Sequence, residues 1–205
     1  MTDSAGLPDD RAVFLNVPFE RGYEPLFIAL IASLVSIGRV PRSVVEISET
    51  GQGRLRRILK QIEACRVSLH DLSRVGNPSR FNIPFELGIA YALRWFHGSA
   101  RRYLFVLLES EPHRLSKTLS GLAGHDPLIH YGKPMGAITS VLDSLGAGGG
   151  EPSPQEVHRL WKHLMRAVRV LKEQQRRETV FSRTMFRLIV AAAAELATEA
   201  GMITP

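Results

Sequence analysis

With 205 residues, 22.8 kDa, 44% apolar and 22% charged, the chain can build one sizeable core plus an appendage, which excludes wholesale disorder, a fibrous architecture and two full-sized enzyme domains. The start MTDSAGLPDDRAVF has acids where a secretory signal needs bases, the longest nearly uncharged apolar stretch (188–194) is far shorter than the ~20 residues of a membrane span, and the single cysteine, Cys65, excludes a disulfide framework. A cytoplasmic chain is expected, and its net charge of +6 resides mostly in residues 151–188, where nine Lys/Arg face four acids, so the remainder needs no polyanionic partner.

The first 11 residues read as a disordered terminus. AVFLN (12–16) is a β-branched and aromatic run that ends in the Pro- and Gly-containing loop VPFERGYEP, which predicts a first strand and its exit. Phe27, Leu30, Ile31, Leu34 and Val35 recur at helical spacing over 26–37, and Gly38 can end that helix. SVVEIS (43–48) reads as the second strand. GQG then opens a basic helix over 54–64, with Leu55, Ile58, Leu59 and Ile62 on its buried face. RVSLHDL (66–72) reads as a central third strand, with Cys65 a small buried residue at its entrance.

A polar loop leads to a helix over 83–96, with Pro84 tolerated in its first turn. YLFVLL (103–108) suits a strand covered on both faces. A helix over 114–122, a short strand over 128–130 and a helix over 135–145 complete five β-α units. The alternation predicts a parallel, flavodoxin-like α/β sheet with helices on both faces. GAGGGEPSP marks a Gly/Pro linker (147–154) that closes the α/β domain (12–146). In the basic tail (155–205), Val157, Trp161, Leu164, Val168 and Leu171 form one apolar stripe, and a second helix (180–200) carries Phe181, Met185, Leu188, Ala192 and Leu196. A helical hairpin follows, and the stripe must be covered either by the α/β domain or by the same hairpin of another subunit in a homo-oligomer.

In such a sheet, ligands collect beyond the carboxyl ends of the strands. Asn16, Pro18 and Phe19 follow the first strand there, His70, Asp71 and Ser73 the third, and Arg80, Phe81 and Asn82 precede a helix whose first turn brings Glu86. Two carboxylates facing a sugar can divide nucleophilic or electrostatic work from proton transfer, which singles out Asp71 with Glu86. An acid in a helix's first turn is also favoured by the macrodipole alone. His70 is a candidate acid/base or a hydrogen-bonded structural residue, and Phe81 either stacks on a base or caps the core. The glycines of GQGRLRR are an anion seat or a simple turn. No phosphate loop, GxGxxG, GxSxG, HExxH or paired-cysteine pattern occurs, so no metal site is expected.

The runs VFLNVPFERGYEPLF, CRVSLHDLS and RFNIPFELGIAYAL resemble, over 13–130, bacterial proteins related to nucleoside 2-deoxyribosyltransferases and to Toll/interleukin-1 receptor (TIR) domains. FELGIAYA (85–92) is similar to the Met-Glu-Leu-Gly-Tyr-Ala run that bears the nucleophilic glutamate of deoxyribosyltransferases. The resemblance implies that Glu86 acts on C1′ of a ribose or deoxyribose and that Asp71 positions or protonates the base. It also implies cleavage of an N-glycosidic bond in NAD or a related nucleotide, which would be a substrate and not a resident cofactor, and a role in bacterial antiviral defence. Asn16-Val17-Pro18-Phe19 replaces the Ala-Gly-Pro turn of deoxyribosyltransferases, and Asn82 stands where NAD-cleaving TIR domains often carry Trp. A non-catalytic nucleotide-sensing module that signals through its tail is the alternative. Nucleic-acid binding by the tail rests on charge alone.

Overall fold

The computed structural model describes residues 9–47, 53–74, 81–96, 103–122, 124–146 and 148–204. Five parallel strands, β1 (Asp9–Asn16), β2 (Val40–Ser43), β3 (Cys65–Asp71), β4 (Leu104–Glu109) and β5 (Leu128–Ile129), form one sheet in the order β2-β1-β3-β4-β5. The expected α/β flavodoxin-like arrangement is therefore present, and the strand order reverses between β1 and β3, where a ligand crevice opens in such sheets.

Between the strands run α1 (Glu24–Ser36), α2 (Arg54–Ala64), α3 (Asn82–Phe96), α4 (Arg114–Thr118) and α5 (Pro134–Leu145), and α6 (Pro154–Gln174) and α7 (Arg183–Glu199) follow. Strand alternation sorts the core into two layers. Ala12, Phe14, Phe105 and Leu107 face α2 and α3 through Ile58, Ile62, Ile83 and Leu87. Val13, Leu15, Val106 and Leu108 face α1 and α5. Cys65 opens β3 as a buried residue, and burial pushes its thiol up to about 12, where it is inert.

Several boundaries differ from the sequence reading. β1 begins at Asp9, inside the segment expected to be disordered. The second strand ends at Ser43, where SVVEIS was expected to begin one, and residues 44–46 form a 3-10 turn. Ser43-Val-Val-Glu46 is a capping sequence whose β-branched valines imitate a strand: Glu46 Oε2 accepts from Ser43 N at 3.0 Å, Arg42 Nε at 2.9 Å and Gln61 Nε2 at 2.9 Å. Ser48, at the end of that expected strand, lies outside the described residues. The helix expected over 114–122 is broken into α4 and a 3-10 turn at Ser120–Leu122 around Gly121, a poor helix former.

The C-terminal helices extend the domain's own core. Helix α1 is apolar on every side, from Leu26 to Val35, so the sheet can cover only one of its faces. Val168, Leu160 and Leu164 of α6, and Met185, Phe186, Ile189, Ala193 and Ala197 of α7, cover the rest in one continuous cluster. Polar contacts fix the docking. Trp161 Nε1 donates to Pro25 O at 3.1 Å, Lys172 Nζ to Glu24 Oε2 at 2.8 Å, and Val180 N to Glu24 Oε1 at 3.2 Å. Of the two covers the stripe could have, the one present is within the chain, by α1 and α5 of the α/β domain. No helix among the described residues is long and apolar enough to cross a membrane.

Candidate functional site

Side-chain alternation along β3 sends its polar residues to opposite faces of the sheet. His70 and Ser68 point toward α3, where His70 is fully buried and pairs in register with Asn16 of β1. Asn16 Nδ2 donates to His70 Nδ1 at 2.8 Å and to Ile83 O at 3.0 Å, using both amide hydrogens. With Nδ1 accepting, the imidazole proton resides on Nε2 and reaches Ser68 Oγ at 2.7 Å. Burial lowers the His70 pKa to about 3, so the ring is neutral at every physiological pH. Both nitrogens are engaged. Asn16 and His70 therefore hold the first turn of α3, three residues before Glu86.

Glu86, unlike Asn16 and His70, is not satisfied by its neighbours. Its side chain is 7% exposed, and Oε2 is buried with no hydrogen-bond partner among the described residues. Burial raises its pKa to about 7, partly opposed by the Arg54 guanidinium at the start of α2. A carboxyl that is half-ionised near neutrality and has a free lone pair is poised for proton transfer or for stabilising a cationic centre. Neighbouring Phe81 is 73% exposed, so it does not cap the core, and Asn82 is exposed as well. Arg80 lies outside the described residues, as does Gly51 of GQG, whereas Gly53 stands at the N-cap of α2.

Asp71 occupies the other face, toward α1 and α5, fully buried. Tyr23 donates its hydroxyl to Oδ2, Ser73 donates backbone N–H at 2.8 Å and its hydroxyl to Oδ1, and His130 Nε2 lies 3.0 Å from Oδ2. Burial works to raise the Asp71 pKa, but the hydrogen bonds from His130, Ser73 and Tyr23 outweigh it and hold the carboxyl below its ordinary value. Burial and the Asp71 charge together push the Tyr23 phenol well above its usual range, which keeps it a donor. Gly132 N donates to His130 Nδ1 at 3.0 Å, so the His130 proton is on Nε2, between Asp71 and Ser73 Oγ at 2.9 Å. Ser, His and Asp thus meet without forming a nucleophile relay, because both partners share one ring nitrogen and the serine hydroxyl is spent on the aspartate.

The turn that presents His130 is tightly built. Tyr131 and Gly132 both have positive φ, 54° and 66°, and a Cβ on Gly136 would lie 2.4 Å from His130 O. The network should be structural in its energetics. Asp71→Asn is expected to lower stability by about 3 kcal/mol or more, since an amide N–H₂ would face donors. Because the native pKa is depressed, Asp71 contributes stability above its unfolded pKa near 3.8, and this is lost as pH falls through the lower native value. Urea unfolding of wild type and variant at pH 7 and below pH 3.5 measures both: the gap between them should shrink in acid.

Beyond the carboxyl ends of β1 and β2 lies a cavity of about 490 Å³, lined by Phe19, Val44, Arg54, Phe181, Ser182 and Arg183 among others. Pro18 is buried in the wall of the β1 exit, and half-buried Phe19 packs edge-on to Phe181, ring centroids 5.5 Å apart. Of the residues singled out from sequence, Asn16 meets both His70 and the α3 backbone, and Phe19 lines the cavity. Asp71 and Glu86 share no contact among the described residues. Tyr23, His130, Arg54, Phe181 and Arg183 were not anticipated. Position at a strand's carboxyl end could have flagged His130, whereas no local pattern marks Tyr23. No protein-family model, curated protein or solved structure matches the chain.

Proposed function

We propose that the chain cleaves an N-glycosidic bond in NAD or a related nucleotide, with Glu86 as the carboxylate that acts on C1′. The observation that carries this reading is Glu86 itself: a buried carboxyl with an oxygen unpartnered among the described residues, a pKa near 7, and a neighbour, Arg54, that lines a cavity at the ligand-binding end of the sheet. The C1′–N bond breaks with its electron pair going to the base, ionised Glu86 stabilises or attacks the cationic C1′, and water supplies the final oxygen while its second proton passes to solvent. One carboxylate suffices when the leaving group is already cationic, as in NAD, where nicotinamide departs neutral without a proton. A neutral nucleoside would need a separate acid, and Asp71 and His70 have no free valence to serve. NAD-type substrates are therefore favoured over neutral nucleosides. Asp71 then acts at one remove, by fixing the β3 and β5 exits, so Asp71→Asn should reduce turnover less than a change at Glu86.

The same satisfied state of Asp71 and His70 favours a second reading, a nucleotide-sensing module without turnover, since a division of labour between two carboxylates is missing. Incubating the full chain with NAD, NADP and a nucleoside panel, and following free base by chromatography, separates the two. A cytoplasmic role in antiviral defence and self-association belong to the first reading as proposals. The covering of Val157, Leu164 and Val168 removes the exposed stripe that motivated assembly through the tail. Light scattering across a tenfold concentration range tests it, and a constant monomer mass would end that proposal.

A further inference from the structure

We propose that the C-terminal helices complete the ligand site: Arg183, at the start of α7, and Arg54, at the start of α2, together hold the phosphates of a nucleoside diphosphate group in the cavity between them. The two arginines line one cavity of about 490 Å³, a volume ordinary for a small-molecule site, yet they come from segments about 130 residues apart. Both are exposed, and no salt bridge among the described residues neutralises either one. Guanidinium groups presented as a pair suit phosphate oxygens better than any other common ligand group, because each offers a planar fork of donors.

Apart from Ser182, the rest of the wall is apolar. Phe19 and Phe181 are packed against each other, with Val44, Val45 and Ile47 beside them. An apolar, aromatic wall next to two cations divides the cavity into a face for a base or ribose and a face for phosphate, which selects a nucleoside phosphate over a free inorganic anion. Ser182 adds a donor. Its Oγ already accepts from Met185 N at 3.3 Å, so the hydroxyl hydrogen is left for a ligand oxygen. The backbone N–H groups of the first turns of α2 and α7 reinforce the same preference.

The arrangement gives the C-terminal pair a role beyond covering α1. Its α7 end carries half of the cationic lining, so the α/β sheet without it would present an incomplete site. This inference rests on the nucleotide reading but not on catalysis, and a binding measurement distinguishes the two.

Titration calorimetry on the full chain with ADP and with adenosine is the test, on wild type, Arg54→Gln, Arg183→Gln and, as a surface control on the same helix, Arg187→Gln, each checked for native circular dichroism. ADP should bind wild type at least about tenfold more tightly than adenosine, and each lining-arginine variant should lose about tenfold in ADP affinity while Arg187→Gln changes it less than about twofold. Absence of ADP binding, equal affinity for adenosine, unchanged binding in both lining variants, or an equal loss at Arg187 would each overturn the proposal. ADP binding with these dependences in a protein that releases no base would leave the phosphate site standing and remove the N-glycosidase reading.

Discussion

Ending the chain at Gly146 is expected to abolish cooperative folding of the α/β domain. The prediction follows from α1, whose side chains from Leu26 to Val35 are buried on all sides, one side of them by α6 and α7. Leu160, Leu164, Val168, Met185, Phe186 and Ile189 would be lost from that cluster, each worth about 1.5–3 kcal/mol when fully buried. The total, on the order of 10–20 kcal/mol, equals or exceeds the stability of a typical domain. Lost with them are the Trp161, Lys172 and Val180 hydrogen bonds to the start of α1. The shortened chain should bind a hydrophobic dye, show no cooperative thermal transition and aggregate at micromolar concentration. A soluble fragment with a sharp transition near that of the full chain would show that the C-terminal pair is an ornament on an independent domain.

The second large effect is at Glu86, and it has two opposite signs. Glu86→Gln keeps the shape of the side chain and removes its charge, so base release should fall by at least about a hundredfold, the scale of one electrostatic or acid–base group. Stability should move the other way. Folding raises the Glu86 pKa from 4.5 to about 7, so the protonated form is favoured in the native state. The native state is relatively disfavoured as pH rises through 7, and the variant is relieved of that cost. The gain is at most about 3 kcal/mol above pH 8 and vanishes below pH 4.5. Thermal unfolding of both proteins at pH 5 and pH 8.5 reads it directly. In the active protein, turnover should rise with pH through about 7 as the carboxylate ionises. A variant that is destabilised at pH 8.5 would identify Glu86 as a structural carboxylate with an unseen partner.

The regular parts of this fold were legible because single elements announce themselves. Ile58 and Ile62 at helical spacing mark the buried face of α2, and Phe14 alternating with Val13 and Leu15 marks a strand covered on both sides. Leu55 and Leu59 were assigned to that same buried face but are exposed, because α2 meets β1 and β3 with a narrower stripe than its sequence offers. At SVVE, β-branched residues outweighed a capping pattern that a Glu three residues after Ser should have signalled. In the tail, the apolar stripe was visible, but what covers it was not, since the uniform apolar character of α1 does not say which faces the sheet leaves open.

The site shows the same division. Asn16, His70, Asp71 and Glu86 could be placed at the carboxyl ends of the strands, because that follows from strand order in the chain. Their sorting to opposite faces of β3 follows from the pleat, and it separates the two carboxylates that spacing in sequence had paired. Tyr23 and His130 reach Asp71 from elements 48 and 59 residues away, and only the assembled sheet brings them there. The contrast that matters for function is therefore one of satisfaction among the described residues: Asp71 has every lone pair engaged, and Glu86 does not.

Free nicotinamide released from NAD by the full chain at pH 7.5, with Glu86→Gln run alongside, reads the proposed cleavage without intermediate steps. Wild type should release it, with slower or absent release of base from neutral nucleosides, and the variant should release none above background. A folded wild-type protein that leaves NAD, NADP and the nucleosides intact, or a Glu86→Gln protein that releases nicotinamide at the wild-type rate, would contradict the proposal.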